Sequence, residues 1–555
     1  MTIRKNSYAL GALCLFWVAA GCGDDDDGPI GGTGGRSGGH AGAGEAGESS
    51  GGTTSGGTSA KGGSSSGGKA ASGGKAGTDG GGGAAESGAG SGGVTAGAPN
   101  GGTAPSGGSA GAPLGGDAGS PTSGGAGASG GSAPMGGDAG AGGDAGAAGA
   151  AFTSPFSPLP AVPTDPTNAF ADNAKAATLG QRLFFDKAFS GPITVTSSAF
   201  GAMGESGKIS CFSCHDGSVL DDTKSNPPTV SIGTAVHTRN APTLVNSAFY
   251  KWTNWGGRFS AQWELPIAVV ENALTMNGNR LALAHRIFDR YKADYEEIFG
   301  ALEPAIGSSA ARFPATGKPK PVGGVDGAWE GMTGDDRNVV NRILVNYAKA
   351  LNAYMRKLVV RDTAFDRYAA GNSSALSESA QRGLALFQGK AACDSCHSGP
   401  HFSDDAFHNL GVPQTGVDNI PTADDGRFKD LPGLLGSGLN SAGDFSDDKP
   451  TGVLRLQGLT NPPPDSTKGQ FRTASLRGIA ESGPYMHSGQ FATLEAVIDF
   501  YNVGGGTPVS GTKDPALSAL NLSTQEKADL LEFLKSLSLA TPVPAPLLQD
   551  TSASP

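Results

Sequence analysis

The sequence predicts a mainly α-helical protein of two units, carried behind a long glycine-rich N-terminal region. Three observations predict it. There is no aromatic residue between Trp17 and Phe152, and 51 of the chain's 92 glycines fall between Cys22 and Ala150. Beyond Phe152, apolar residues recur at three-to-four spacing in several runs, while strand-like alternation is short and rare. A Cys-x-x-Cys-His sequence occurs once in each half of that remainder, at 211–215 and at 393–397.

At the N-terminus, Arg4 and Lys5 give a basic start, and Leu10 to Ala20 form an apolar core too short to span a bilayer as a finished helix. This is the pattern of an export signal. Ala19, Ala20 and Gly21 precede Cys22 as in a bacterial lipobox, with Ala19 where Leu is most usual. Lipidation of Cys22 would make residues 1–22 a lipoprotein-type signal and hold the chain on a membrane. The bland alternative is an ordinary signal peptide with a chance cysteine. Either way, the protein is expected in a bacterial periplasm or at the cell surface. Residues 23–151, opening on Asp24 to Asp27, cannot bury enough apolar surface to offset the entropy of ordering them, so they read as a disordered tether. About 120 such residues span roughly 55–65 Å root-mean-square, which is the reach of a spacer. Their glycines keep no three-residue period, which excludes collagen. A net charge of -11 offers nothing to neutralise phosphates, so a nucleic-acid partner is excluded.

The folded remainder divides into residues 152–371 and 372–547, with a tail at 548–555. The first unit opens with a helical pattern, NAKAATLGQRLFFD, then a loop to Cys211. A helical run from Glu264 to Met276 tolerates Pro266 only in its first turn. Residues 279–300 and 335–358 follow with helical spacing; in the latter Val339, Val340, Ile343, Leu344, Tyr347 and Leu351 form one stripe. The second unit repeats helix, loop and motif in ESAQRGLALFQGKAACDSCH, then passes through a Gly/Asp-rich loop over about 411–450. Thr493 is placed to cap a helix, and Ser523 with Glu526 forms a capping box for the last one.

Of the six cysteines, Cys14 and Cys22 belong to the leader. The other four lie in the two motifs, Cys211, Cys214 with His215 and Cys393, Cys396 with His397. Two thiols at this spacing can form thioethers to the vinyl groups of one haem, and the following histidine becomes an axial ligand of its iron. Zinc would use the same atoms, but the pairs stand 182 residues apart, and covalent haem accounts for both histidines. The fold class is therefore mainly α, two cytochrome c-like haem domains, with two covalently bound haem c groups.

These segments, together with TRNAPTLVNSAF, NWGGR, GLALFQGKAACDSCHSGPHFSDDAFHNLGVP and FRTASLRGIAESGPYMHSGQFATLEAVIDFYN, resemble the bacterial dihaem cytochrome c peroxidases and their MauG-type relatives over nearly the whole folded part. The resemblance implies a first haem that meets hydrogen peroxide and a second that relays electrons from a small cytochrome or cupredoxin, or from an oxidisable protein substrate. It implies Trp255 between the haems, and a Ca²⁺ held by the Asn240 side chain and the carbonyls of Ser482 and Pro484. His487 and Arg472 match positions that serve the second haem, His408 matches a position of no assigned role, and a homodimer is common in the family.

Three positions depart from the peroxidase pattern. Where a peroxidase places the Met ligand of the second haem, fourteen residues after the histidine of PYMH, this chain has Tyr501, as in the MauG branch. Leu494, Val497, Ile498 and Tyr501 share one helical face, so Tyr501 points inward. The alternative is a core tyrosine, with Met486 or another side chain on the iron. The histidine that follows SIG in many relatives is Thr234 here, and His237 lies three residues on. It could bind the first iron, or stand near an iron that is open or water-bound. The distal Glu and Gln of the family fall at Thr275 and Leu265. Glu271, one turn before Thr275, is the replacement expected to serve as acid–base, with Glu264 second. His285 and His401 read as structural or exposed, and His40 lies in the tether. The missing Glu and Gln keep a second reading open, a dihaem electron-transfer protein without efficient peroxidase activity.

Overall fold

The computed structural model describes residues 156–217, 230–416, 420–539 and 541–551. The leader, Cys22 and the glycine-rich region lie outside the described residues. Twelve α-helices are found among the described residues: α1 (Ala174–Phe185), α2 (Cys211–Cys214), α3 (Leu265–Glu271), α4 (Arg280–Arg290), α5 (Lys292–Phe299), α6 (Gly334–Met355), α7 (Ala364–Ala369), α8 (Glu378–Gln388), α9 (Arg427–Gly436), α10 (Lys449–Leu456), α11 (Leu494–Asn502) and α12 (Thr524–Lys535). The described strands are β1 (Phe407–His408) and β2 (Phe471–Arg472), antiparallel, with Phe407 opposite Arg472 and His408 opposite Phe471. None of the described helices is long and apolar enough to cross a membrane.

Two hydrophobic cores organise the fold, and each is built on a helix pair that crosses at a glycine. In the first, α1 lies along α6; a Cβ on Gly180 would stand 2.0 Å from the Ala350 carbonyl oxygen. In the second, α8 lies along α12; a Cβ on Gly383 would stand 2.0 Å from the Asp529 carbonyl oxygen. Both approaches are closer than any side chain allows, so the glycine at each crossing sets the interhelix distance. Leu183, Phe184, Trp263, Leu344 and Tyr347 fill the first core. Phe365, Phe387, Phe402, Phe533 and Leu537 fill the second. Two segments cross over: Phe156 stacks on Phe402 at 4.6 Å in the second core, and Val543 is buried in the first.

Local capping follows the sequence closely. Thr493 accepts from the Ala496 amide at 3.2 Å and starts α11. Ser523 and Glu526 close a reciprocal capping box on α12. Two expectations change. The helical run expected to Met276 ends at Glu271, because the Asn272 cap and Asn277 (φ 48°) turn the chain and the Thr275 hydroxyl bonds back to the Val269 carbonyl. The loop expected over 411–450 contains α9, with Pro432 inside it.

Candidate functional site

The second motif opens onto a cavity of about 340 Å³. Cys393 lies in a one-turn 3-10 helix, Cys396 follows it, and His397 closes the turn by donating its amide to the Cys393 carbonyl at 2.8 Å. The His397 Nδ1 sits 3.0 Å from the Phe402 carbonyl, which assigns the proton to Nδ1 and leaves Nε2 as the ligating atom. Burial lowers the pKa of this imidazole and keeps it in the neutral, ligating form. Leu494, Val497, Ile498 and Tyr501 all line the cavity, so one face of α11 forms its wall. Met486 lines it too. Burial pushes the Tyr501 phenol above its usual range.

A haem fits this cavity on an observation independent of the motif. Arg472 is buried with its guanidinium 3.5 Å from the centre of the Tyr250 ring, yet its Nε has no partner. Both residues line the cavity. A buried cation with an unmet donor calls for an anion, and a haem brings two propionates. His487, also on the wall, stacks on Phe471 at 3.7 Å and 9°, and burial pushes it down to about 3, so it is neutral. His408 is held between carboxylates, Nδ1 2.7 Å from Asp514 and Nε2 3.2 Å from Asp404.

Trp255 joins the same cavity. Its indole N–H donates to the Asn240 carbonyl at 2.7 Å, and its own carbonyl accepts from the Arg472 amide at 2.8 Å. Gly256 beside it leaves room for Asp430, whose carboxylate would lie 2.0 Å from a Cβ there. Asn240, Ser482 and Pro484 all line the wall, with the Asn240 amide 3.2 Å from the Pro484 carbonyl. Hard oxygen donors of this kind suit Ca²⁺ when the Asn240 amide turns its oxygen inward.

Beside this wall stands a buried ion triad that spacing could not reveal. Arg239 grips Asp424 through Nε and Nη2, both at 2.7 Å, and Asp430 through Nη1 at 2.8 Å. Burial opposes the charge on Asp424, and Arg239 more than offsets it, holding the carboxyl below its usual range. The partners lie 185 and 191 residues away in sequence, so no local pattern links them.

At the first motif, α2 presents Cys211 and Cys214 one turn apart, and His215 caps it by donating its amide to the Cys211 carbonyl at 3.0 Å. Cys211 packs on the first core and Cys393 on the second, so the two pairs do not combine into a four-cysteine zinc site. Burial pushes both thiols up to about 12, unlike the lowered thiolates of redox cysteine pairs. A cavity of about 70 Å³ lies beside the 231–237 hairpin, lined by His237, Arg258, Leu265, Val269, Asn272 and Thr275 among others.

Glu271, the expected acid–base, does not line this cavity; its carboxylate accepts from Arg280, through the amide at 3.0 Å, Nε at 2.9 Å and Nη2 at 2.5 Å. The chain reversal at 272–279 brings Arg280 back over it, a contact outside any helical spacing. The fallback Glu264 also lies away from the cavity: it accepts from the Ser260 hydroxyl at 2.7 Å and the Ser441 amide at 2.8 Å. Burial pushes Glu264 up from 4.5 to about 7. A raised carboxyl favours the protonated folded state, so its contribution to stability is lost as pH rises from about 4.5 to about 7, a fall of about 3 kcal/mol. Glu264→Gln is expected to flatten that part of a stability-versus-pH curve measured by chemical denaturation.

A family model described as di-haem cytochrome c peroxidase matches residues 174–374. The cytochrome-c peroxidase IdrP1 of Denitromonas iodatirespirans is 32% identical over 406 residues, covering 70% of this chain and 88% of that protein. The methylamine utilization protein MauG of Methylorubrum extorquens is 29% identical over 366 residues, covering 65% and 77%. Among solved structures, a MauG-like protein associated with microbial copper homeostasis is similar at 26% identity, covering 71% of this chain and 98% of that one, with a TM-score of 0.45.

Proposed function

Because this chain belongs to the di-haem cytochrome c peroxidase family, we propose that it reduces hydrogen peroxide at the first motif with electrons passed through the second. The observation that carries the reading is the second cavity, where Cys393, Cys396, His397 and Tyr501 line one space and the buried Arg472 lies on its wall. A bound haem c supplies iron that takes up and gives off electrons one at a time. Cys211 and Cys214 would hold the first, with His215 as ligand. Cys393 and Cys396 would hold the second between His397 and Tyr501, and Arg472 and His487 would orient its polar edge.

Trp255 would carry electrons between the two. Its ring is fixed at both ends, by its indole N–H on Asn240 and its backbone on Arg472, so little reorganisation accompanies a change of charge nearby. Asn240, Ser482 and Pro484 would hold Ca²⁺ against that same wall. The electron source would be a small cytochrome or cupredoxin. Tyr501 favours a second arrangement, in which the oxidising power is spent on a partner protein in the MauG manner, because a phenolate holds iron ferric and lowers its potential. Export, lipidation of Cys22, a reach set by residues 23–151 and assembly as a homodimer belong to the same proposal. Mixing the diferric protein with hydrogen peroxide and following the haem absorption band tests the reading.

A further inference from the structure

We propose that His408 is the fixed positive charge of the second haem site, an imidazolium held between two carboxylates that biases this haem towards its reduced form; this rests on the reading of Cys393 and Cys396 as its attachment. Both ring nitrogens face acids, Nδ1 the Asp514 carboxylate at 2.7 Å and Nε2 the Asp404 carboxylate at 3.2 Å. A neutral imidazole carries one N–H and serves one acceptor; only the doubly protonated ring donates to both. The acids hold their charge. Burial opposes the charge on Asp514, and His408 more than offsets it, so this carboxyl lies below its usual range. Asp404 lies below its range as well, held there against burial by the Ala406 amide, the Thr473 hydroxyl and His408.

The charge stands beside the point of attachment. His408, Asp514 and Cys396 line the same cavity, and a His408 ring nitrogen, an Asp404 oxygen and the Cys396 Sγ lie within 4.8 Å of one another. Cys396 is spent on the thioether, so this group of three supplies a charge and not a second metal site. The backbone fixes it from three sides. His408 sits in β1 opposite Phe471 of β2. The Asp404 amide donates to the Cys396 carbonyl at 2.9 Å, and the Asp514 amide donates to the carbonyl of Asn409, next to His408, at 2.8 Å. The three side chains are 19–23% exposed, so solvent screens the charge only in part.

A phenolate from Tyr501 pulls the potential of this site down. The His408 cation opposes that pull and keeps the site reducible by the electron donor. The step it serves is the gain of one electron from that donor; no bond forms or breaks, and His408 keeps both of its protons. Redox titration of the holoprotein, followed by visible absorption, reads the effect. His408→Gln removes the cation and is expected to lower the midpoint of the second haem, raising its oxidised-to-reduced ratio at the wild-type midpoint about tenfold. Asp514→Asn removes a negative charge from the same cavity and is expected to raise the midpoint. Shifts of opposite sign are the mark of charge, because a loosened site would move both variants the same way. An unchanged midpoint in His408→Gln, or shifts of the same sign in the two variants, overturns the role of His408 alone. A wild-type mass that lacks the second haem defeats the attachment reading itself, and this inference with it.

Discussion

Arg239→Leu is expected to destabilise the holoprotein by about 3–5 kcal/mol, the cost of leaving buried partners without their opposite charge. Arg239 comes from the chain that follows the first motif, while Asp424 comes from the segment entering α9 and Asp430 from its first turn. All three side chains are under 10% exposed, so water cannot take over when the guanidinium is removed. The fork geometry matters as well: two nitrogens serve Asp424 and a third serves Asp430, so Arg239→Lys cannot restore the contact and should recover only part of the loss. Neutralising the orphaned acids tests the cause. Arg239→Leu combined with Asp424→Asn and Asp430→Asn should be more stable than Arg239→Leu alone in denaturant titration. If the single and triple variants lose the same stability, unpaired charge is not the reason. The triad also lies in the path between the two cavities: Arg239 stands 5.4 Å from the centre of the Phe471 ring, on which His487 stacks, and its backbone holds the His237 ring.

Tyr501→Met is expected to convert the second haem from His/Tyr to His/Met ligation and to raise its potential on the order of 0.1 V or more, within the ~0.8 V that axial ligands command. The cavity makes this replacement feasible, because Tyr501 shares a wall with Leu494, Val497 and Ile498, and a flexible thioether suits that lining. The near-infrared charge-transfer band of His/Met iron should be absent from the wild type and present in the variant. A wild-type spectrum that already carries that band would assign the ligand to Met486, which lines the same space, and would make Tyr501 a core residue.

What was legible in the sequence was what is local. The two motifs, the Thr493 cap, the Ser523–Glu526 box and the inward face of α11 all depend on residues within a turn or two of one another. What was hidden depends on distance. Arg239 and its acids are separated by nearly two hundred residues, and the glycines at 180 and 383 acquire meaning only when α6 and α12 are laid across them. Phe156 looks like the start of the first unit and is buried in the second core. α9 was masked by Pro432 and the glycines around it, although Arg427 at its start fixes it by lying 3.6 Å from the centre of the Phe407 ring. The pairing of Glu271 with Arg280 was hidden too, because the chain turns after Asn272 and returns Arg280 to it outside any helical register.

The central claim is that this chain is a peroxide-reducing enzyme and not an electron carrier alone. Stopped-flow mixing of the diferric wild-type protein with hydrogen peroxide tests it most directly. A rapid change in the haem absorption band, reversed when a reduced small cytochrome or cupredoxin is added, is the result expected. A spectrum that stays that of the resting protein under excess peroxide would contradict it and leave a dihaem electron-transfer protein.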